Sequence, residues 1–212
     1  MDEELRNLVS QNYPELPLSS KEQILRFHEL LRIGNETQNL TRLISASDFY
    51  QGHLIDVCEL LKTKWLTYPA LDIGSGAGVP GLLSALIEKG EWVLSESEKR
   101  KAEFLQATVD ALKIGTQVQV TSLRAEEYLR KKSINTLIAR AVGPVDRIYS
   151  WIHHCSTWNK LILFKGPSWN DEWMRFQESK FKKDLVIDQT HSYVVGPEQK
   201  QRILISLKRT SV

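Results

Sequence analysis

Long apolar runs are missing from this chain of 212 residues: nothing in it approaches the roughly 18 consecutive apolar residues of a membrane span. Its first segment, MDEELRNLVSQNYPELP, is acidic and polar where a secretory signal would be basic and then apolar. These two absences give the expectation of a cytoplasmic protein with no membrane partner. Cysteine is scarce. Cys58 and Cys155 stand far apart, without a CxxC or a His/Cys ligand spacing, so neither a disulfide framework nor a zinc site is indicated, and both read as small buried hydrophobes. A dominant charge is lacking as well. A formal net charge of +2 argues neither for nor against a nucleic-acid partner.

What is present is ordinary core material: 42% hydrophobic and 25% charged residues suit one α/β domain with some extra chain, and leave disorder out. Basic residues gather at Lys99-Arg100-Lys101, Arg130-Lys131-Lys132, Lys180 to Lys183 and Lys208-Arg209. Such clusters are either solvated helix faces or a patch that meets phosphates.

Residues 1–65 read as a helical extension packed on the core. Ser19-Ser20-Lys21-Glu22 has the form of a cap ahead of Ile24, Phe27, Leu30 and Leu31, and Ser45, Ser47 and Asp48 announce a second run through Phe49, Leu54, Val57, Leu60 and Leu61. From residue 66 to 212 the pattern is that of one compact α/β unit. Strands are expected at Ala70 to Ile73, Glu91 to Glu96, Gln117 to Thr121, Asn135 to Ala139 and Lys160 to Lys165, with helices at 80–89, 99–112, 124–132 and 144–156 between them. Short apolar strands separated by helices imply right-handed crossovers and a doubly wound, mostly parallel sheet. A Trp-rich helical stretch (Trp169, Trp173) follows. His191 to Val195 and Arg202 to Leu207 are joined by GPEQKQ, too short for a crossover, so the sheet is expected to end in an antiparallel hairpin.

The stretch LDIGSGAGVPGLLSAL holds four glycines between two apolar runs. Gly74-Ser75-Gly76-Ala77-Gly78 is G-x-G-x-G, and the dinucleotide fingerprint would need glycine where Val79 stands. A ligand without phosphates needs only backbone clearance and amide donors there. Pro80 suits the first turn of the next helix. Glu96 ends the second strand about 20 residues past Gly74, where a carboxylate can accept from both hydroxyls of an unphosphorylated ribose. With Asp72 inside L-D-I-G, these features indicate a nucleoside-type cofactor, S-adenosylmethionine first and NAD second.

LDIGSGAGVPG, LSESEKRKAEFL, SLRAEEYL, LIARAVGPVDRIYSWIHHC and LILFKG, in that order and at those distances, with NLTRLISASDFYQGHLIDV upstream, resemble the RsmG (GidB) family of bacterial small-subunit ribosomal RNA guanine-N7 methyltransferases. The likeness runs from about residue 35 to residue 166. It implies a seven-stranded, Rossmann-like class I methyltransferase sheet, S-adenosyl-L-methionine as methyl donor, and N7 of a guanine in a decoding-region loop of 16S rRNA as acceptor, the RNA being free or within the small subunit. No obligate protein partner is implied. For the cofactor, the resemblance points to Asp72, Gly74, Gly76, Gly78, Val79 and Glu96, to Ala125 and Glu126 beside the adenine, and to Arg140 between cofactor and catalytic mouth. Asn39, His53 and Asp56 fall at recurrent positions of the mouth, and Arg100, Lys101 and Lys165 are assigned to RNA. Val79 replaces a more usual phenylalanine and Glu96 a more usual aspartate; both keep the chemistry.

Guanine N7 carries an in-plane lone pair and no proton, so its methylation needs no general base. Proximity supplies most of the acceleration, on the order of 7 to 11 kcal/mol. Arg140 is read as gripping the cofactor carboxylate or an RNA phosphate, or else as a structural ion pair. Asp56 either accepts from the Watson–Crick edge of guanine, with His53 beside it, or pairs within the core. Asn39 caps a turn or serves the mouth, and Lys165 meets phosphate or an acid. His153-His154 shows no third ligand, so no metal is expected. Trp169 and Trp173 are core residues or stack on an unpaired base. A small-molecule or protein methyltransferase, a nicotinamide dehydrogenase and a non-catalytic RNA-binding assembly factor are the alternatives on the residues alone.

Overall fold

The computed structural model describes residues 2–210. Seven strands, β1 (Ala70–Ile73), β2 (Trp92–Ser95), β3 (Val118–Thr121), β4 (Ile134–Arg140), β5 (Trp158–Lys165), β6 (Leu185–Val195) and β7 (Lys200–Arg209), form one sheet in the order β3-β2-β1-β4-β5-β7-β6. Strands β1 to β5 are parallel, and β7 runs antiparallel to both of its neighbours. The doubly wound sheet with a closing hairpin is the one expected. Six strand positions agree within about two residues, but β6 begins six residues earlier than its apolar stretch. The added residues include Asp188, Gln189 and Thr190, which an edge strand with a bulge between Ile187 and Gln189 tolerates because only one side of its backbone is paired.

Alternation along the strands sorts side chains to two cores. In β5, Ile162 and Phe164 face one cluster while Leu161 and Leu163 face the other. Helices α7 (Ala125–Leu129), α8 (Val145–Ile152) and α9 (Trp169–Glu178) cover the second cluster. The first is covered by α5 (Gly81–Ala85) and α6 (Lys99–Ala111) together with α1 (Glu3–Asn12), α2 (Leu18–Asn35), the short α3 (Ala46–Phe49) and α4 (Ile55–Thr63). Leu5, Phe27, Leu31, Val57 and Leu60 are fully buried in it.

Three local expectations are corrected. Helix α2 starts at Leu18 with Pro17 in the N-cap position and no side-chain cap, so Ser19 to Glu22 form its first turn. Pro17, at φ −53° and ψ 144°, sets the extended entry itself. Helix α5 covers only 81–85 of the expected 80–89, with Pro80 just outside it as N-cap. Helix α8 stops at Ile152, short of the expected 156. Ser45 does cap α3, its hydroxyl accepting from the Asp48 amide at 3.1 Å. Between α3 and α4 the chain makes one π-helical turn, Tyr50–Leu54.

Candidate functional site

In an open α/β sheet, ligands bind at the carboxyl ends of the strands where the winding reverses. Here that point lies between β1 and β4, and the glycine turn after β1 stands beside it. Gly74, Gly76 and Gly78 all take positive φ, 65°, 51° and 89°, which L-residues adopt only at a cost. The three are not equivalent. A Cβ on Gly78 would meet Leu105, Leu82 and Phe27 at 3.2 to 3.4 Å, so this glycine admits the core, whereas one on Gly76 would meet nothing nearer than the Gly74 carbonyl at 3.8 Å.

The turn keeps its amides for itself. Gly74 N and Ser75 N donate to the Ser95 carbonyl, Gly78 N to the Ser75 carbonyl, and Gly76 N to Glu96 Oε2 at 2.9 Å. Few donors remain for a phosphate, so the loop gives clearance rather than the amide donors the sequence reading allotted to it. Glu96 Oε1 also accepts the Glu98 amide at 2.8 Å. Each oxygen of an ionised carboxylate has a second acceptor direction, which suits a ligand with paired hydroxyl donors.

Asp72, in the middle of β1, is 1% exposed. Its Oδ2 accepts the Gly81 amide at 2.9 Å, and its Oδ1 has no partner among the described residues. Burial, opposed by the Gly81 bond and the Arg140 charge, pushes this carboxyl up to about 7. Gly81 must be glycine, because a Cβ there would lie 2.7 Å from both Asp72 Cβ and Leu94 Cδ2.

Arg140, last residue of β4, reaches across to the π-helical turn and α4. Its Nη1 donates to the Gly52 carbonyl at 2.6 Å and to Asp56 Oδ2 at 2.9 Å, and its Nη2 lies 2.6 Å from His53 Nδ1. A guanidinium only donates, so Nδ1 accepts; the imidazole proton is therefore on Nε2, 3.3 Å from the Thr41 hydroxyl. Burial first, and then the Arg140 charge, pushes His53 down to about 3, so it stays neutral. Asp56 is fully buried. Its Oδ2 also accepts Arg202 Nη1 at 3.0 Å, and its Oδ1 accepts the Tyr193 hydroxyl at 2.8 Å. Two guanidiniums thus share one carboxylate. Of the alternatives the sequence left open, the structural ion pair for Arg140 and the core pairing for Asp56 are both present.

The model of the family described as rRNA small subunit methyltransferase G (GidB) matches residues 20–203. The chain belongs to this family. Relatives carrying that name include one from Idiomarina loihiensis, 30% identical over 99% of this chain and 100% of its own, and one from Rhodopirellula baltica, 29% identical over 92% of this chain and 85% of its own. Among solved structures, the METTL16 methyltransferase domain superposes with a TM-score of 0.58 at 13% identity, covering 98% of this chain and 93% of its own. TrmK of M. capricolum, solved with S-adenosyl-homocysteine, gives 0.54 at 12% identity over 73% of this chain and 68% of its own. These two likenesses show the fold.

In this member of the GidB family the remaining expected residues spread around the same edge of the sheet. Val79 and Ala125 are buried in the two cores, and Glu126 is half-buried in α7. Lys165, at the end of β5, donates to Glu172 at 2.5 Å and to the Gly143 carbonyl at 2.9 Å, the acid pairing that was one of its two readings. Glu172 also accepts the Val145 amide, so the pair pins the loop after β4. Asn39 is exposed and lines a hollow of about 230 Å³ with Arg100 and Lys101. Asn35, rather than Asn39, holds the local turn by accepting from the Thr41 amide. Lys101 is paired with Glu98 and Arg100 reaches the Thr37 carbonyl. Trp169 and Trp173 stack on each other at 5.5 Å, and His153 and His154 turn to Ser150 and Arg130 respectively. Among the described residues no helix is long and apolar enough to cross a membrane.

Sequence reasoning missed Tyr193 and Arg202. The available signal was Asp56 itself, an acid on the apolar face of a helix, which demands cationic or hydroxyl partners from elsewhere.

Proposed function

We propose that this protein transfers the methyl group of S-adenosylmethionine to N7 of an unpaired guanine in 16S ribosomal RNA. The observation that carries the reading is Glu96 held across the glycine turn at the switch point of a chain of the GidB family. When bound, the cofactor supplies an electrophilic sulfonium methyl; the N7–carbon bond forms as the carbon–sulfur bond breaks, and the positive charge passes to the purine. Glu96 accepts from the ribose hydroxyls, while Gly74, Gly76 and Val79 give the cofactor room. The opening of the adenine site is bordered by Ala125 and Glu126.

No residue has to remove a proton. A neutral His53 with both nitrogens engaged, and an Asp56 held between two guanidiniums, suit a site that positions its reactants instead of titrating them. Arg140, whose side chain is 14% exposed, presents its open side to the cofactor carboxylate or to an RNA phosphate. Arg100 and Lys101, beside Asn39, serve the RNA backbone, with Lys165 stiffening the loop beneath the base.

The test is transfer of labelled methyl from S-adenosylmethionine to small-subunit RNA from a strain lacking this enzyme, then chain scission specific for 7-methylguanine. One cleavage, at a loop guanine, is expected. No transfer to free RNA or to intact small subunits overturns the reading. Arg140→Ala is expected to methylate at well under a tenth of the normal rate, since a bidentate charged contact contributes roughly 1.5 to 3 kcal/mol.

A further inference from the structure

A hollow of about 590 Å³ lies outside the cofactor region. Its walls are Pro167 and Asn170 from the loop after β5 and the start of α9, Trp169, and Tyr193, Gln201 and Arg202 from the β6–β7 hairpin. No residue of the glycine turn, nor Glu96, nor Arg140 lines it. We infer that this pocket is a subsite for a second unpaired nucleotide of the RNA substrate, next to the one that is methylated; the inference rests on the reading of the protein as an RNA methyltransferase.

Three features point to a nucleotide. The volume falls within the roughly 300 to 1,000 Å³ of small-ligand sites. The lining combines the half-buried ring of Tyr193, backed by the buried Trp169, with two exposed side-chain amides and one guanidinium and no acid: a surface for a base, donors and acceptors for its edge, and a cation for its phosphate. The place is also right. Arg140 is paired with Phe164 on β5, and the neighbouring Lys165 with Ile203 on β7, which lines the pocket; the β7 wall of the pocket therefore stands two strand spacings, about 10 Å, from the backbone of Arg140. The bases of adjacent unpaired nucleotides can splay apart to occupy two such neighbouring sites.

The pocket is also wired to the mouth. Arg202 and Tyr193 line it on one side and bond Asp56 on the other, and Asp56 holds Arg140. A phosphate drawing on Arg202 shifts the balance at the shared carboxylate, so an occupied pocket and an aligned Arg140 go together. Recognition of the flanking nucleotide thereby selects the site of methylation.

Asn170 and Gln201 are exposed and hold no part of the Asp56 cluster, so the test uses the double variant Asn170→Ala/Gln201→Ala and, as a second, Asn170→Trp, which fills the pocket. With a stem–loop RNA carrying the methylated loop, KM for RNA is expected to rise about tenfold in both. kcat at saturating RNA and the Kd for S-adenosylmethionine are expected to stay within about twofold of wild type. A wild-type KM for RNA in both variants overturns the subsite and leaves the methyltransferase reading standing. If the wild-type chain methylates no RNA, that reading fails. The subsite is then decided by fluorescence anisotropy with the same labelled RNA: weaker binding by the variants sustains it, and equal binding, or none by the wild type, overturns it.

Discussion

His53 is held near 3 and Asp72 near 7, against ordinary values of 6.5 and 3.8, and burial is the leading cause in both. The consequences for stability have opposite signs. The folded pKa of His53 is depressed, so as pH falls from 6.5 toward 3 the unfolded chain takes up a proton that the folded one refuses, and stability is lost. For Asp72 the folded pKa is raised, so stability is full below about 3.8 and is lost as pH rises toward 7. Between pH 4 and 6.5 the two slopes offset each other. Urea midpoints across that window should accordingly show stability rising with pH in Asp72→Asn, by up to about 1.4 kcal/mol per unit, and falling with pH in His53→Gln. Parallel slopes in the two variants would refute the assignment. Glu96 offers a separate test. Replacing it with alanine removes the acceptor for the ribose hydroxyls, so the affinity for S-adenosylmethionine, measured by calorimetry, is expected to fall between about tenfold and a hundredfold.

The β6–β7 hairpin does more than close the sheet. It supplies two of the three side chains on Asp56, and His191 ties it again to Glu59 on α4 at 2.8 Å. Asp56→Ala leaves Arg140 and Arg202 facing each other without a counter-ion and is expected to cost about 3 to 5 kcal/mol in urea unfolding, while Tyr193→Phe costs about 1. This is also where the sequence was least legible. The glycine turn, Glu96 and strands β1 to β5 could be read because their signals are local: apolar runs, turn residues and a short spacing. Tyr193 and Arg202 meet Asp56 across 137 and 146 residues, a pairing that no local pattern encodes. The polar first half of β6 escaped because an edge strand needs no apolar alternation to find its one partner. Lys165 and Arg140 were legible as charges at strand ends, but whether each met an acid or a ligand depended on Glu172 and Asp56, which only the fold brings near.

For the molecule as a whole, we read residues 1–65 as a helical layer on which the methyltransferase unit depends. Phe27, Leu31, Val57 and Leu60 share one buried cluster with Leu82, Leu105, Ile138 and Ile162, so a chain starting at residue 66 bares the apolar surface that α1 to α4 cover beside α5 and α6. Such a chain is expected to lack the dispersed amide spectrum and cooperative melting of the full protein; a well-dispersed, cooperatively melting fragment would show the layer to be dispensable. The strand order has its own bearing on biosynthesis. Asp56 emerges early, but Arg202 is translated 146 residues later, on a strand that must slot between β5 and β6. At roughly 5 to 20 residues per second, the nascent chain waits about 7 to 30 s after Asp56 for the second of the two guanidiniums that share it, so a prematurely terminated chain cannot assemble the site for which it has already made most of the parts.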